Sequence, residues 1–259
     1  MKKTIIVATG NREKMVEIRQ IFAQADVELI TMKDAGVEVE VDETGTTFEE
    51  NALLKARAVA ASSGRLALAD DSGLVVDAMG GEPGIHSARW MGHDTSYDIK
   101  NQEIIRLVDE YCAKVEAEEC SCQPAARENN ATAAETEAAA KESKTPAESA
   151  VSAKENKSPE INHPGCGTDG TPGPLRSARF VCAVAAVWPD GRECTARGVL
   201  EGRINTEQKG TNGFGYDPIF YLPEYGMTSG QIPREEKNRI SHRGQAFRKL
   251  AELLADEEG

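Results

Sequence analysis

Thr4-Ile5-Ile6-Val7-Ala8-Thr9-Gly10-Asn11-Arg12-Glu13-Lys14 is the stretch that sets the reading of this chain. Thr4 to Ala8 is β-branched and apolar, which suits a short buried strand. Gly10 permits a tight turn, Asn11 is a good helix N-cap, and Met15, Ile18, Ile21 and Phe22 recur at helical spacing. A strand passing into a helix through a glycine turn is the building unit of α/β sheets, and such sheets bind ligands at those handovers. The free N–H groups of the first helical turn, with the helix dipole, make this turn a candidate anion site. Lys14 shares a face with Ile18 and Ile21, so it points inward. The G-x-x-x-x-G-K-[ST] phosphate loop is absent.

Outward from this unit the alternation continues. Glu28–Thr31 reads as a second strand, and Thr46–Ser63 as a helix with Phe48, Ala52, Ala56, Val59 and Ala60 on one side. Leu66–Ala69 is a buried-type strand, Leu74–Ala78 continues the sheet, and Asp98–Tyr111 is a helix. Ala178–Trp188 and Glu193–Ile204 are strands joined by the turn Pro189-Asp190-Gly191, a hairpin. A last helix covers Ser241–Ala255. Interleaved strands and helices with one hairpin predict an α/β fold around a mixed sheet.

Residues 113–174 differ from the rest. They hold no aromatic residue, and Val115, Val151 and Ile161 are their only large aliphatics. Too little apolar surface is available there to offset the entropy of ordering, so the segment reads as a disordered insertion. Residues 1–112 and 175–259 then form one domain of ordinary size. Cys120-x-Cys122 and His163-x-x-Cys166 offer four ligand types inside the insertion, but the spacing departs from structural zinc sites. Six cysteines in 259 residues are too few for a disulfide scaffold.

The chain carries 30 Lys plus Arg against 43 Asp plus Glu, a net charge of −13. Such a balance provides no field for a nucleic-acid backbone, so an anionic ligand must be held by local donors. No apolar run approaches the ~18–20 residues that cross a bilayer, and the apolar start is too short for a signal peptide. A soluble cytoplasmic protein with neither nucleic acid nor membrane as partner is the expectation.

Four further polar clusters join the first. Asp70-Asp71-Ser72-Gly73 ends an apolar run, and adjacent carboxylates in a strand face opposite sides, so one enters a site while the other braces it. A carboxylate pair beside an anion-binding turn suits Mg²⁺. Asn51 and Lys55 flank the apolar stripe of the second helix, which Asp42-Glu43-Thr44-Gly45 precedes. Gly213-Phe214-Gly215-Tyr216-Asp217-Pro218 brackets an aromatic ring on which a base can stack. Lys237-Asn238-Arg239-Ile240-Ser241-His242-Arg243 leads basic groups into the last helix. Singly, each cluster also reads as ordinary capping, an Asx-turn, a snorkelling lysine, a glycine bulge or a solvated helix start.

Together, in order, they resemble the inosine triphosphate pyrophosphatase family, which hydrolyses ITP, dITP and XTP to the monophosphate and pyrophosphate. The resemblance rests on Thr9–Lys14, Thr47–Ala56, Ala69–Gly73 running on to Pro83–Arg89, Gly213–Phe220 and Lys237–Arg243, and it covers both arms around the insertion. It implies an elongated two-lobed α/β fold with a cleft, Mg²⁺ as cofactor and a homodimer. It implies that Thr9, Gly10, Asn11, Arg12, Glu13 and Lys14 hold the substrate's phosphates, with Lys55 assisting. Glu43 and Asp71 would hold the metal, Asp71 would also accept the proton of the attacking water, and Ser72 would contact substrate. Phe214, Gly215, Tyr216 and Asp217 would line the base and sugar pocket, facing Lys237, His242 and Arg243. Two alternatives stand beside it: a Maf-type pyrophosphatase acting on pyrimidine or modified nucleotides, and a catalytically inactive nucleotide-binding regulator.

Overall fold

The computed structural model describes residues 3–23, 26–121 and 163–256. In chain order these form β1 (Lys3–Val7), α1 (Arg12–Ile21), β2 (Val27–Thr31), α2 (Phe48–Ser63), β3 (Ala67–Val76) and α3 (Tyr97–Ser121). They continue as β4 (Ser177–Val187), β5 (Glu193–Ile204), β6 (Phe220–Leu222), β7 (Met227–Thr228), α4 (Arg234–Ile240) and α5 (His242–Asp256). The strands make one open sheet in the order β2-β1-β3-β4-β5-β6-β7. β2, β1 and β3 are parallel, and β3 through β7 run antiparallel to their neighbours. The mixed α/β fold expected from the alternation and the hairpin is the one observed.

β3 organises the rest. Its even-numbered side chains run Leu66 (just ahead of the strand), Leu68, Asp70, Ser72, Leu74, Val76, apolar at both ends and polar in the middle. Leu66 and Leu68 pack with β1, α1 and α5 through Ile5, Met15, Ile18 and Phe247. Leu74 and Val76 pack with α3 and β6 through Ile104, Val108 and Phe220. Two cores therefore cover one face of the sheet and leave a polar gap between them at Asp70 and Ser72. On the other face α2 lies close to the sheet, because Ala52, Ala56 and Ala60 meet Ala67, Ala69 and Ala185. Small residues on both surfaces allow that approach.

Three expectations need correction. The sequence reading split Leu66–Ala69 from Leu74–Ala78 and put Asp71 at a strand end, whereas β3 runs unbroken and Asp71 pairs with Ala183 in its middle. The edge ends on one side only: β1 stops at Val7, opposite Leu68, so beyond that point β3 lacks its parallel partner. The helix expected to finish at Tyr111 continues to Ser121, because Ala113 to Glu119 are strong helix formers whose composition also suits a linker. The terminal helix is preceded by a separate short one, α4, with Ser241 between them.

The insertion's ends are pinned. Arg176, with no exposed surface, donates from Nε to Ile204 O at 2.7 Å and from Nη2 to Asn205 O at 3.2 Å. Its Nη1 reaches Asp109 Oδ1 at 2.5 Å and Pro164 O at 2.9 Å. Gly165 N donates to Glu116 Oε1 at 2.7 Å. Residues 163–174, assigned to the insertion by composition, thus include contacts with α3 and β5. The central insertion, with Cys122 and the Cys120 side chain, lies outside the described residues; among those described, no three His, Cys, Asp or Glu side chains are grouped to hold a metal.

Arg176→Met removes the fully buried cation of a pair whose carboxylate, Asp109, is partly exposed, and strands three carbonyls. Urea unfolding should show a loss of about 3–5 kcal/mol. A loss under about 1 kcal/mol, the scale of a surface pair, would contradict the role given to this arginine.

Candidate active site

The open edge of β3 lets one cavity reach both faces of the sheet. It is lined from one face by Lys14, Ser72, Phe180 and His242, and from the other by Glu43, Lys55 and Asp71. On the α2 face, Asn51 is the central brace. Its Nδ2 donates to Asp71 Oδ2 at 3.2 Å, and its Oδ1 accepts from Gly45 N at 2.8 Å. This ties the loop carrying Glu43 to the strand carrying Asp71. One turn further along α2, Lys55 Nζ lies 2.7 Å from Glu43 Oε1 and 3.6 Å from Asp71 Oδ1. Glu43 Oε2 also meets Arg89 Nη1 at 3.2 Å. Gly73 completes the wall, since any Cβ there would strike the carbonyl of Gly84 and the hydroxyl of Ser87.

On the opposite face Asp70 is buried among cations. Lys14 Nζ donates to its Oδ2 at 2.7 Å, and Arg243 Nε stands 3.7 Å from the same oxygen. Asp70 Oδ1 has no hydrogen-bond partner among the described residues. Arg243 is itself committed, bonding to the Glu17 carboxylate and donating from Nη2 to Ser72 Oγ at 3.2 Å. Adjacent carboxylates do face opposite sides of the strand, one bracing and one lining, as the sequence pattern implied.

These surroundings separate the two aspartates. Burial alone would raise Asp70, but Lys14, Arg243 and Lys55 hold it well below the usual carboxylate range. Burial raises Asp71, and the negative charge of Glu43 adds to this against the opposing pull of Lys55 and Asn51. Burial also opposes the charge on Lys55, yet Asp71, Asp70 and Glu43 keep its pKa above the usual lysine value. A paired ionised carboxylate beside one of raised proton affinity is the arrangement that suits a proton acceptor.

The β1–α1 turn is distributed over three surfaces. Asn11 and Lys14 line the main cavity. Thr9, Gly10 and Arg12 line a neighbouring groove with Thr31 to Glu40, and Glu13 faces a third cleft with Glu17 and Phe214. The first-turn amides are not all free either. Asn11 Oδ1 accepts from Glu13 N and Lys14 N, and Thr9 Oγ1 accepts from Asn11 N. Asn11 is the N-cap that the sequence suggests, and it takes up two of the first-turn amides expected to be free.

The far wall is aromatic and basic. Phe214 is half-buried, with Lys237 Nζ and Arg243 Cζ each 5.6 Å from its ring centroid. Asp217 holds the loop shut, accepting from Phe214 N at 2.8 Å, Lys237 Nζ at 2.6 Å and Ser229 Oγ at 2.8 Å. Tyr216 Oη donates to Ser87 O at 2.8 Å. His242 stacks on Phe180, ring centroids 4.9 Å apart, and its Nδ1 has no hydrogen-bond partner among the described residues. Burial, with Arg243, Lys237 and Lys14 nearby, pushes His242 well below its ordinary value, so it is neutral at pH 7. Sequence reasoning missed Glu17, Ser87, Tyr97 and Phe180. Glu17, Tyr97 and Phe180 sit within regular elements, and Ser87, inside the Pro83–Arg89 motif, is a turn residue given no role by its sequence; only the packing shows what each touches.

The chain is matched by a family model described as the Ham1 family over residues 5–146 and 149–253. A dITP/XTP pyrophosphatase of Exiguobacterium sibiricum is 38% identical over 251 residues, covering 96% of this chain and 96% of the relative. One from Nitratidesulfovibrio vulgaris is 39% identical over 253 residues, 97% and 96% of the two chains. Among solved structures, a HAM1 protein from Coxiella burnetii aligns with TM-score 0.69 and 28% identity over 98% of this chain and 99% of its own. The Staphylococcus aureus Ham1 protein gives 0.65 and 30% over 98% and 100%.

In the metal-free protein the Asp71 carboxyl should titrate above its ordinary 3.8. Glu43→Gln removes a like charge and frees Lys55 to turn toward Asp71, and both changes lower that pKa. Carbon-detected NMR of the aspartate carboxyls measures this; an upward shift in the variant would overturn the electrostatic assignment.

Proposed function

The chain belongs to the Ham1 family, and from that premise we propose that it hydrolyses non-standard purine nucleoside triphosphates (ITP, dITP and XTP) to the monophosphate and pyrophosphate. The observation that carries this reading is one cavity holding Lys14, Lys55, Glu43 and Asp71 at one end and Phe214, Lys237 and His242 at the other. Cations and carboxylates suit a triphosphate, and an aromatic ring with polar neighbours suits a base.

Asp71 is the proton acceptor for the attacking water. Its raised proton affinity favours uptake, and Asn51 fixes the orientation of the acceptor. Lys14 and Lys55 draw negative charge away from the departing pyrophosphate, so positioning and electrostatics carry most of the rate. Glu43 and Asp71 form a hard oxygen donor set that fits Mg²⁺, which commonly takes one or two carboxylates and completes its shell with water and phosphate. Glu43 raises the proton affinity of Asp71, and a cation held by these two carboxylates would offset that repulsion. When bound, that ion polarises the phosphoryl oxygens and neutralises charge. Thr9, Gly10, Arg12 and Glu13 flank the phosphates, and Ser72 contacts the substrate. Gly215, Tyr216 and Asp217 support Phe214, while Lys237, His242 and Arg243 form the polar side of the base pocket. The proposal includes a homodimer working in the cytoplasm. No observation favours the Maf-type or inactive alternatives.

Asp71→Asn should fold normally and lose at least ~10²-fold in turnover, the usual scale for a general base. Near-wild-type turnover at saturating Mg²⁺ would refute the role. With pyrophosphate release as the readout, kcat/KM should be greatest for ITP and XTP, lower for GTP and lowest for ATP. A pocket donating to a 6-keto oxygen is left unpaired by the amine of adenine. Equal efficiency on ATP and ITP, or a preference for UTP or dTTP, would overturn the assignment.

The catalytic unit in this reading comprises residues 1–112 and 175–259, with the insertion lending no chemistry. Replacing residues 122–162 by a short Gly/Ser linker, which retains the contacts of Glu116 and Pro164, should leave turnover within a few-fold. Loop length changes stability only by ~0.6 kcal/mol per doubling. Loss of activity in that variant would assign the insertion a working role.

A further inference from the structure

We propose that Lys100 and Asn101, consecutive residues near the start of α3, are positioning residues that fix the two walls of the base-binding half of the cavity. The proposal rests on the nucleotide reading above and adds two residues that lie behind the cavity lining.

Both side chains are 1% exposed. Asn101 Nδ2 donates to Gly215 O at 3.2 Å and to Gln208 Oε1 at 3.1 Å, while its Oδ1 has no hydrogen-bond partner among the described residues. Lys100 Nζ donates to Ala88 O at 2.9 Å and sits 5.1 Å from the Tyr97 ring centroid, with no carboxylate paired to it among the described residues. A buried ammonium without a counter-ion and a buried amide with an idle oxygen both cost stability. The same helix buries Ile104, Val108 and Cys112 at ordinary core positions, so apolar residues serve elsewhere along it. Polar exceptions of this kind concentrate where function requires them.

The two carbonyls held belong to different walls. Ala88 and Ser87 form one, and Gly215, between Phe214 and Tyr216, belongs to the other. Gly215 has φ +70°, a left-handed conformation that a glycine peptide enters and leaves easily, and the Asn101 amide selects one direction for its carbonyl. The walls meet where Tyr216 Oη donates to Ser87 O at 2.8 Å and where Tyr97 packs edge-on against Tyr216, centroids 5.2 Å apart. α3 therefore sets how far the Phe214 ring stands from the Ser87–Ala88 wall. Neither residue reaches toward Asp71 or Lys55, so the effect falls on base binding and not on the phosphate chemistry.

The test uses the full chain with ITP and Mg²⁺, and tripolyphosphate as a competitor that has phosphates but no base. Asn101→Leu and Lys100→Met should each raise KM for ITP roughly 10-fold with kcat within about 3-fold of wild type, the pattern of lost uniform binding. Inhibition by tripolyphosphate should be unchanged. Amide hydrogen exchange should quicken across residues 213–217 in Asn101→Leu and stay as it was in β3 and β4. Wild-type KM with unaltered exchange would overturn the proposal, and so would KM, kcat and tripolyphosphate inhibition all worsening together, which is what general loosening produces. If Asn101→Leu does not fold, Gln208→Leu, at a half-buried position, removes the brace on Asn101 and should give the same pattern more weakly. Should the wild type release no pyrophosphate from any nucleotide, the functional reading fails, and hydrogen exchange of residues 213–217 still decides whether the clamp exists.

Discussion

A carboxylate buried inside a sheet needs compensation, and that requirement at Asp70 shapes one whole side of this molecule. Asp70 sits on a central strand with its side chain out of solvent. Lys14 comes to it from α1 and Arg243 from α5, two helices distant in sequence. Arg243 in turn neutralises Glu17 of α1, so the three elements are locked by charge as well as by their apolar contacts. Removing Arg243 would leave buried Glu17 without this partner and Asp70 with Lys14 as its one ion-pair partner among the described residues, which is more costly than losing a surface pair. The ionised state of Asp70 stabilises the fold above the ordinary carboxylate range, and this contribution fades as pH falls through its depressed value.

Asp71, one residue on, lies under the opposite constraint. Its proton affinity is raised, so its ionisation weighs against the folded state as pH rises through its folded value. A single β-strand thus carries one carboxylate held ionised by cations and one of raised proton affinity, separated only by strand alternation. The cavity reaches both because β1 ends at Val7 and leaves the next residues of β3 without a parallel neighbour. That early ending turns a continuous sheet into a site.

The remaining architecture supplies distance control. α2 approaches closely because alanines face alanines, and this brings Asn51 and Lys55 within reach of Asp71. α3 reaches the Ser87–Ala88 wall through Ala88 O and the aromatic wall through Gly215 O. Tyr216, Tyr97 and Asp217 tie the same loop by a hydroxyl, a ring contact and a carboxylate. Such redundancy suits a pocket that must choose between bases differing by a few atoms.

Local sequence determined much of this. The strand–turn–helix at Thr4–Lys14, the hairpin around Pro189-Asp190-Gly191 and the helical stripe from Phe48 to Ala60 each follow from periodicity and turn chemistry over short local stretches. Five ordered motifs also sufficed to place the chain in its family. What sequence alone left undecided was long-range. Ala113–Glu119 suits a helix and a linker equally, and only the tertiary contacts of Glu116 with Gly165 and of Arg176 with Pro164 and Asp109 pin its surroundings. Glu17 reads as a surface residue until Arg243, 226 positions later, is seen beside it. Phe180 reads as core until His242 stacks on it. Propensity and pattern report on neighbours along the chain, whereas a charge partner or a stacked ring is chosen by the tertiary fold, and only there do Asp70 and Asp71 acquire different chemistry.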